Sequence, residues 1–166
     1  MKHEYGCLMG MFNPQHSKNI VKFGKTIIPP SILYTSETDD SYGYGDEPHV
    51  TVKFGLTPDL DKNTVLSIIK GIKPFYINLH SLSQFKNSEF DVIKFDVESS
   101  VLRDIRKKVD KYPNEDSFPD YHPHVTIAYV LPGRFNHIKK NLKISIPVTR
   151  FKYSSMTGEC FYIDIN

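Results

Sequence analysis

Two runs of the chain, PHVTVKFGL at residues 48–56 and PHVTIAYVL at residues 123–131, echo one another at Pro, His, Val, Thr, an aliphatic, an aromatic and a closing Leu. Side chains alternate faces along a strand. Read as strands, His49, Thr51 and Lys53 share one face, and Val50, Val52 and Phe54 the other. In the second copy His122, His124, Thr126 and Ala128 share a face, opposite Val125 and Ile127. The apolar faces belong in a core. The polar faces must look onto a cleft or water, because an unpaired buried imidazole is costly. A duplicated strand in a chain of 166 residues predicts two related half-domains rather than a repeat array. If a pseudo-twofold relates the halves, the two strands run side by side and two His and two Thr converge on one point.

The patterning around these strands predicts an α+β chain with mostly antiparallel strands. Residues 4–12 read as a buried strand. Residues 17–24 read as a weak helix, with Ser17 as N-cap and Gly24 as stop. The polar run at 35–47 is long for a plain connection and suits a lid or binding loop. A helix is expected at 61–71, where Val65, Ile68, Ile69 and Ile72 mark one apolar face. Strands follow at 74–82 and 90–97. A helix capped by Ser99 or Ser100 runs to about Tyr112, then a loop at 113–119. A short helix is expected at 137–142, and residues 144–153 and 159–165 form a closing hairpin. One domain spans 1–166, with lobe halves at approximately 1–85 and 86–166.

Composition narrows the class. The formal charge of +2 is too small for a nucleic-acid coat protein. The two cysteines, Cys7 and Cys160, are too few for a disulfide scaffold and read as buried free thiols. No apolar stretch reaches the ~18 residues that span a bilayer, and no apolar run follows a basic start. The expected location is a reducing cytosol.

Two His-x-Thr strands suit phosphoester chemistry. A tetrahedral phosphate needs several hydrogen-bond donors, and two Thr hydroxyls supply them from both sides. Cleavage needs a base for the attacking hydroxyl or water and an acid for the leaving oxygen. Imidazole has an unperturbed pKa of ~6.5, so one His can be neutral while the other is protonated. No metal or other cofactor is required by this scheme. Lys53 lies on the expected catalytic face and is placed to meet a second phosphate; His122 shares that face. Tyr5 opens the first strand and can stack on a base, and Glu159 can accept from a base amino group. His3, His16, His80 and His137 show no partner pattern and read as surface or packing residues.

The paired motif, its spacing and its flanking hydrophobics resemble the two-histidine (2H) phosphoesterase superfamily, which includes the LigT-like 2′-5′ RNA ligases and cyclic phosphodiesterases. The runs PHVTVKFGL and HPHVTIAYVLPG and the SSMTGE strand look most like the phage-encoded anti-CBASS branch. The resemblance implies a two-lobed fold with a central cleft. It implies that His49 and His124 are the acid–base pair and that Thr51 and Thr126 are phosphate ligands. It also implies a cyclic di- or trinucleotide substrate in the host cytosol, whose ribose 2′-hydroxyl attacks the 3′-5′ linkage. Other classes remain open from the residues. A zinc hydrolase would use His49, His122 and His124 with an open fourth position. A non-catalytic nucleotide sponge needs no acid–base pair. A host enzyme processing RNA ends, 2′,3′-cyclic phosphates or 2′-5′ oligonucleotides would want a long basic groove, whereas the charges at 106–108 and 139–140 read as solvated helix faces.

Overall fold

The computed structural model describes residues 4–116 and 120–166. His3 and the end of the expected 113–119 loop lie outside the described residues. The described chain runs β1 (Gly6–Met11), α1 (Pro14–Ile27), a 3₁₀ turn at Pro30–Ile32, β2 (His49–Leu56), α2 (Lys62–Ile68), β3 (Phe75–Lys86), β4 (Asp91–Glu98), α3 (Ser100–Val109), β5 (His124–Val130), β6 (Ile144–Val148), β7 (Arg150–Ser154) and β8 (Cys160–Asp164). Among the described residues these strands form one sheet, in the order β6-β3-β4-β5-β2-β1-β7-β8. Every pairing is antiparallel. The α+β class holds, as does the expectation that the two His-Val-Thr strands lie side by side.

A single residue makes the sheet curl. β6 and β7 stand at opposite sides of the strand order, yet only Thr149 separates them. Thr149 donates its N–H to the Met11 carbonyl at 3.3 Å, and its carbonyl accepts from Ile165 at 3.1 Å. The sheet must therefore bend until the β6 flank returns to β1. A Cβ built on Gly10 would lie 3.1 Å from a Val148 methyl, so glycine makes the closest approach possible. The expected continuous strand over 144–153 breaks at Thr149 for this reason. The strands beside β2 come from residues 6–56 and 150–164, and those beside β5 from residues 75–148. The flanks are thus interleaved in sequence rather than divided near residue 85.

The helices pack on the core side of the central strands. Asn13, not Ser17, caps α1, accepting from the His16 N–H at 2.9 Å, and Pro14 occupies the first turn, where its missing N–H costs nothing. Gly24 does not stop this helix. A Cβ there would come within 2.6 Å of Ile127 on β5, so Gly24 is where helix and strand touch. Asp61 and Ser99 cap α2 and α3. Residues 137–142 form no helix; Lys139 bridges to Leu82 instead, and buried Phe135 packs edge-on to His137. Of the two thiols, Cys7 is half-buried and Cys160 is exposed, against the expectation that both are buried.

Each central strand carries a β-bulge at the same place. Met9 pairs with Thr51 and Leu8 with Lys53, so Val52 is the extra residue. Lys94 pairs with Thr126 and Ile93 with Ala128, so Ile127 is the extra residue. A bulge shifts the two-residue alternation by one. Lys53 and Ala128 therefore turn to the core side with Val52 and Ile127, and only Phe54 and Tyr129 return toward the His–Thr face. This corrects the expectation that Lys53 and Ala128 face the cleft. Lys53 is 3% exposed and pairs with Asp110 at 2.8 Å and Asp116 at 3.1 Å. Arg106 of α3 joins the same carboxylates, both at 2.7 Å, and donates to the Val52 carbonyl. It is a buried tie between α3 and β2 rather than part of a solvated face.

Lys53→Met should therefore act on stability. Arg106 still partners both carboxylates and Asp110 is partly exposed, so the expected loss is about 1–3 kcal/mol, read from the urea midpoint. A lysine that met ligand in the cleft would leave the midpoint in place and weaken binding.

Candidate active site

The centre is set by one pairing. β2 and β5 meet at Val50 and Val125, both fully buried. Counting outward in this antiparallel register places His49 opposite Thr126 and Thr51 opposite His124, on the face away from the two valines. Opposed residues hold their Cβ atoms about 4.5–5.5 Å apart, and diagonal ones sit about 7–8 Å apart. The two imidazoles are the diagonal pair, with a Thr beside each. That spacing leaves room for one tetrahedral group, and the charge of His49 is felt at His124.

Each imidazole is oriented in the same way. His49 Nδ1 lies 2.8 Å from the Glu47 carbonyl, and His124 Nδ1 lies 2.9 Å from the His122 carbonyl. A carbonyl only accepts, so Nδ1 carries the proton in both rings and the neutral form keeps its lone pair on Nε2. The residue between is proline in both copies, Pro48 and Pro123. Proline holds the residue before it extended, which fixes the carbonyl two positions before each His. The Pro in the PHVT echo was the sequence signal for this device. His122 is exposed and precedes β5; it reaches the centre through its carbonyl rather than its ring.

Burial pulls both imidazoles below the usual His range, because it disfavours the charged form. Lys152 adds to this at His49, and Lys94 and His49 add to it at His124. The Glu47 carbonyl and carboxylate, and at His124 the His122 carbonyl and Asp96, oppose it. Beside His124, the Phe85 ring stands edge-on at 5.0 Å. Lys94 is buried, bonded to Asp96 and to the Ser83 hydroxyl at 2.7 Å, with its ammonium 4.1 Å over Phe85. Beside Thr51, the Cys7 thiol is raised to about 12 by burial and so stays protonated. The Tyr121 hydroxyl donates to the Thr51 carbonyl at 2.8 Å, tying the approach to β5 onto β2.

The structure thus brings His49, Thr51, His124 and Thr126 together and puts Lys53 elsewhere. Tyr5 lies edge-on to Phe54, ring centres 5.5 Å apart, at the end of β2 beyond its bulge. Glu159 is exposed at the β7–β8 turn, where its carbonyl accepts from Ser155. Lys94, Phe85 and Lys152 were missed by the sequence reading; the alternating Lys94 and Asp96 on one face of β4 were the available sign. Among the described residues no group of three His, Cys, Asp or Glu side chains is placed to hold a metal ion, and the exposed His122 ring does not join His49 and His124.

A single curled antiparallel sheet whose two central strands present paired His-x-Thr motifs defines the class of protein. The sequence profile of the 2′-5′ RNA ligase superfamily matches residues 33–150, and the chain belongs to that superfamily. No curated protein matches the chain. Among solved structures, TT0787 of Thermus thermophilus superposes with a TM-score of 0.62 at 13% identity, covering 98% of this chain and 95% of its own. E. coli LigT complexed with 3′-AMP gives 0.61 at 16% identity, covering 98% and 95%. A structure described as a phosphoesterase gives 0.61 at 18%, covering 99% and 96%. At these identities the likeness establishes the fold.

The direction of the imidazole shifts sets a pH expectation. Both rings release their protons at lower pH than a free imidazole, so the coupled pair holds a single proton in a window on the acid side of ~6.5. The kcat/KM profile should be a bell centred below that value. The kcat profile should lie higher, because a bound phosphate anion favours imidazolium. A kcat/KM bell centred above about pH 7 would contradict the burial-driven shift. The same shifts leave the folded chain with fewer bound protons than the unfolded one, so stability falls as pH drops below ~6.5.

Proposed function

We propose that this protein is a metal-independent phosphodiesterase that cleaves 3′-5′ linkages of cyclic di- or trinucleotide messengers. The observation that carries the reading is the β2–β5 register, which sets two imidazoles diagonally across one phosphate-sized space with a Thr hydroxyl beside each. In this scheme the neutral imidazole takes the proton of the ribose 2′-hydroxyl as its oxygen attacks phosphorus. The protonated imidazole gives its proton to the departing 5′-oxygen, leaving a 2′,3′-cyclic phosphate. Thr51 and Thr126 hold the phosphoryl oxygens. The general-acid and general-base steps contribute ~10²–10⁴-fold, and orientation with charge stabilisation supplies the remainder. The cyclic-oligonucleotide substrate, and action in the cytosol of an infected host, rest on the likeness of the two motif runs to the phage anti-CBASS branch.

A second reading is RNA-end or 2′-5′ oligonucleotide processing. The family description and the 3′-AMP complex of LigT favour it. A panel of cyclic dinucleotides, cyclic trinucleotides, linear 2′-5′ oligoadenylate and RNA with 2′,3′-cyclic phosphate ends, with products read by mass, separates the two. Preferential turnover of the linear substrates would replace the first reading by the second.

His49→Ala and His124→Ala should each abolish turnover while retaining ligand affinity, and the double variant should be little slower than either single one. Thr51→Val or Thr126→Val should weaken binding and rate together by about 1–3 kcal/mol, the cost of a lost hydrogen bond. A substrate with hydrogen in place of the 2′-hydroxyl should bind and not be cut; cleavage at the normal rate would make water the nucleophile.

Turnover should persist in excess EDTA. Complete loss in chelator, restored by added zinc, would favour a metallohydrolase.

A further inference from the structure

Two cross-strand rows cross the His–Thr face of the sheet. One runs Asp96, His124, Thr51, Met9, Lys152, Tyr162; the other runs Lys94, Thr126, His49, Met11, Arg150, Asp164. The pseudo-twofold repeats the catalytic pairs at the middle of these rows but not their ends. On the β4 side the end is closed. Lys94 is 5% exposed and committed to Asp96 and Ser83, and Asp96 also accepts from Ser81 and Ser83.

The β7–β8 side is open and differently built. Tyr162 is 44% exposed, with the Arg150 guanidinium 5.2 Å and the Lys152 ammonium 5.6 Å from its ring centre. Arg150 spends only Nε on Asp164, at 2.7 Å, and Lys152 reaches Glu47 at 2.8 Å. Arg150 and Asp164 are both largely exposed, and an exposed ion pair of this kind is weak enough for a phosphate to displace; Glu47 is half-exposed, while Lys152 is mostly covered. Met9 and Met11 are buried and floor the interval between this patch and the histidines with unbranched apolar side chains. Lys152 stands two strands from Thr51, about 10 Å along the row, and its side chain can reach back toward the centre. A guanidinium fork matches a phosphate bidentately, and an exposed tyrosine ring offers a base a stacking surface.

We infer that Arg150, Lys152 and Tyr162 form a subsite for a second phosphate and its base, so the preferred substrate carries at least two phosphates and lies across β2, β1, β7 and β8. This rests on the phosphodiesterase reading above and gives the site a polarity: the closed flank holds His124, and the open flank holds the rest of the substrate.

The test compares Arg150→Gln and Tyr162→Ala with the natural protein on three probes: adenosine 3′-methyl phosphate, which has one phosphate and a free 2′-hydroxyl, cyclic di-adenylate and cyclic tri-adenylate. The kcat/KM loss on the cyclic oligonucleotides should exceed that on adenosine 3′-methyl phosphate by about tenfold or more, the factor of one lost base stack, and should reside in KM. Equal losses on all three probes, or none on the cyclic oligonucleotides, overturn the subsite. A second measurement titrates the same probes into His49→Ala by calorimetry, with and without Arg150→Gln. If the natural protein cuts none of them but Arg150→Gln weakens binding of the cyclic oligonucleotides, the subsite stands and the phosphodiesterase reading falls. If none of them binds, the subsite falls.

Discussion

The pairing of β2 with β5 at Val50 and Val125 is the contact on which the rest depends. The two valines have no solvent exposure and stand back to back with the His–Thr face. Burying them fixes register, because a slip of one residue would send every polar side chain of the pair into the core. Register in turn decides that each His faces the other strand's Thr. The apolar side of two strands thus specifies the geometry of a polar site on their other side. The curl imposed at Thr149 brings both flanks of the sheet around this contact.

The matching bulges show how a duplicated strand is adapted without losing its centre. In both copies the residue after the Thr is the extra one, and the following residue turns inward. One copy uses that inward position for Ala128, which simply packs. The other uses it for Lys53, whose charge is neutralised by Asp110 and Asp116 and locked by Arg106. The same backbone device therefore yields a plain core contact on one side and an ionic tie to α3 on the other. Beyond the bulges, Phe54 and Tyr129 return to the cleft face with different surroundings. Phe54 is half-exposed against Tyr5, and Tyr129 is packed by Tyr42 and Phe90.

Symmetry at the centre and asymmetry at the flanks have distinct chemical uses. Identical proline–carbonyl devices give both imidazoles the same tautomer, so either is able to hold or release a proton at Nε2. Acid and base must nevertheless differ during a reaction, and the neighbours differ too. His124 is braced by Phe85 and the Lys94–Asp96 pair, and His49 lies near Lys152 and Glu47. The proposed phosphodiesterase would use this combination: an equivalent pair at the centre, and unlike surfaces at the two flanks.

The echo at 48–56 and 123–131 marked the central strands and their paired His-x-Thr faces, and the patterning around them marked the α+β class, because hydrophobic alternation and a repeated motif are local properties of the chain. The echo also singled out the four residues, and the antiparallel pairing of β2 with β5 at Val50 and Val125 brought them together. Tertiary structure decided where Lys53 points, because a bulge arises from pairing with β1 and leaves no trace in alternation. It decided that Gly24 is a contact rather than a stop, since Ile127 lies far along the chain. It divided the run at 144–153, because only the closing of the whole sheet demands a bend at Thr149. It also placed Lys94, Lys152 and Tyr162 in line with the histidines, through cross-strand registers that no stretch of sequence contains.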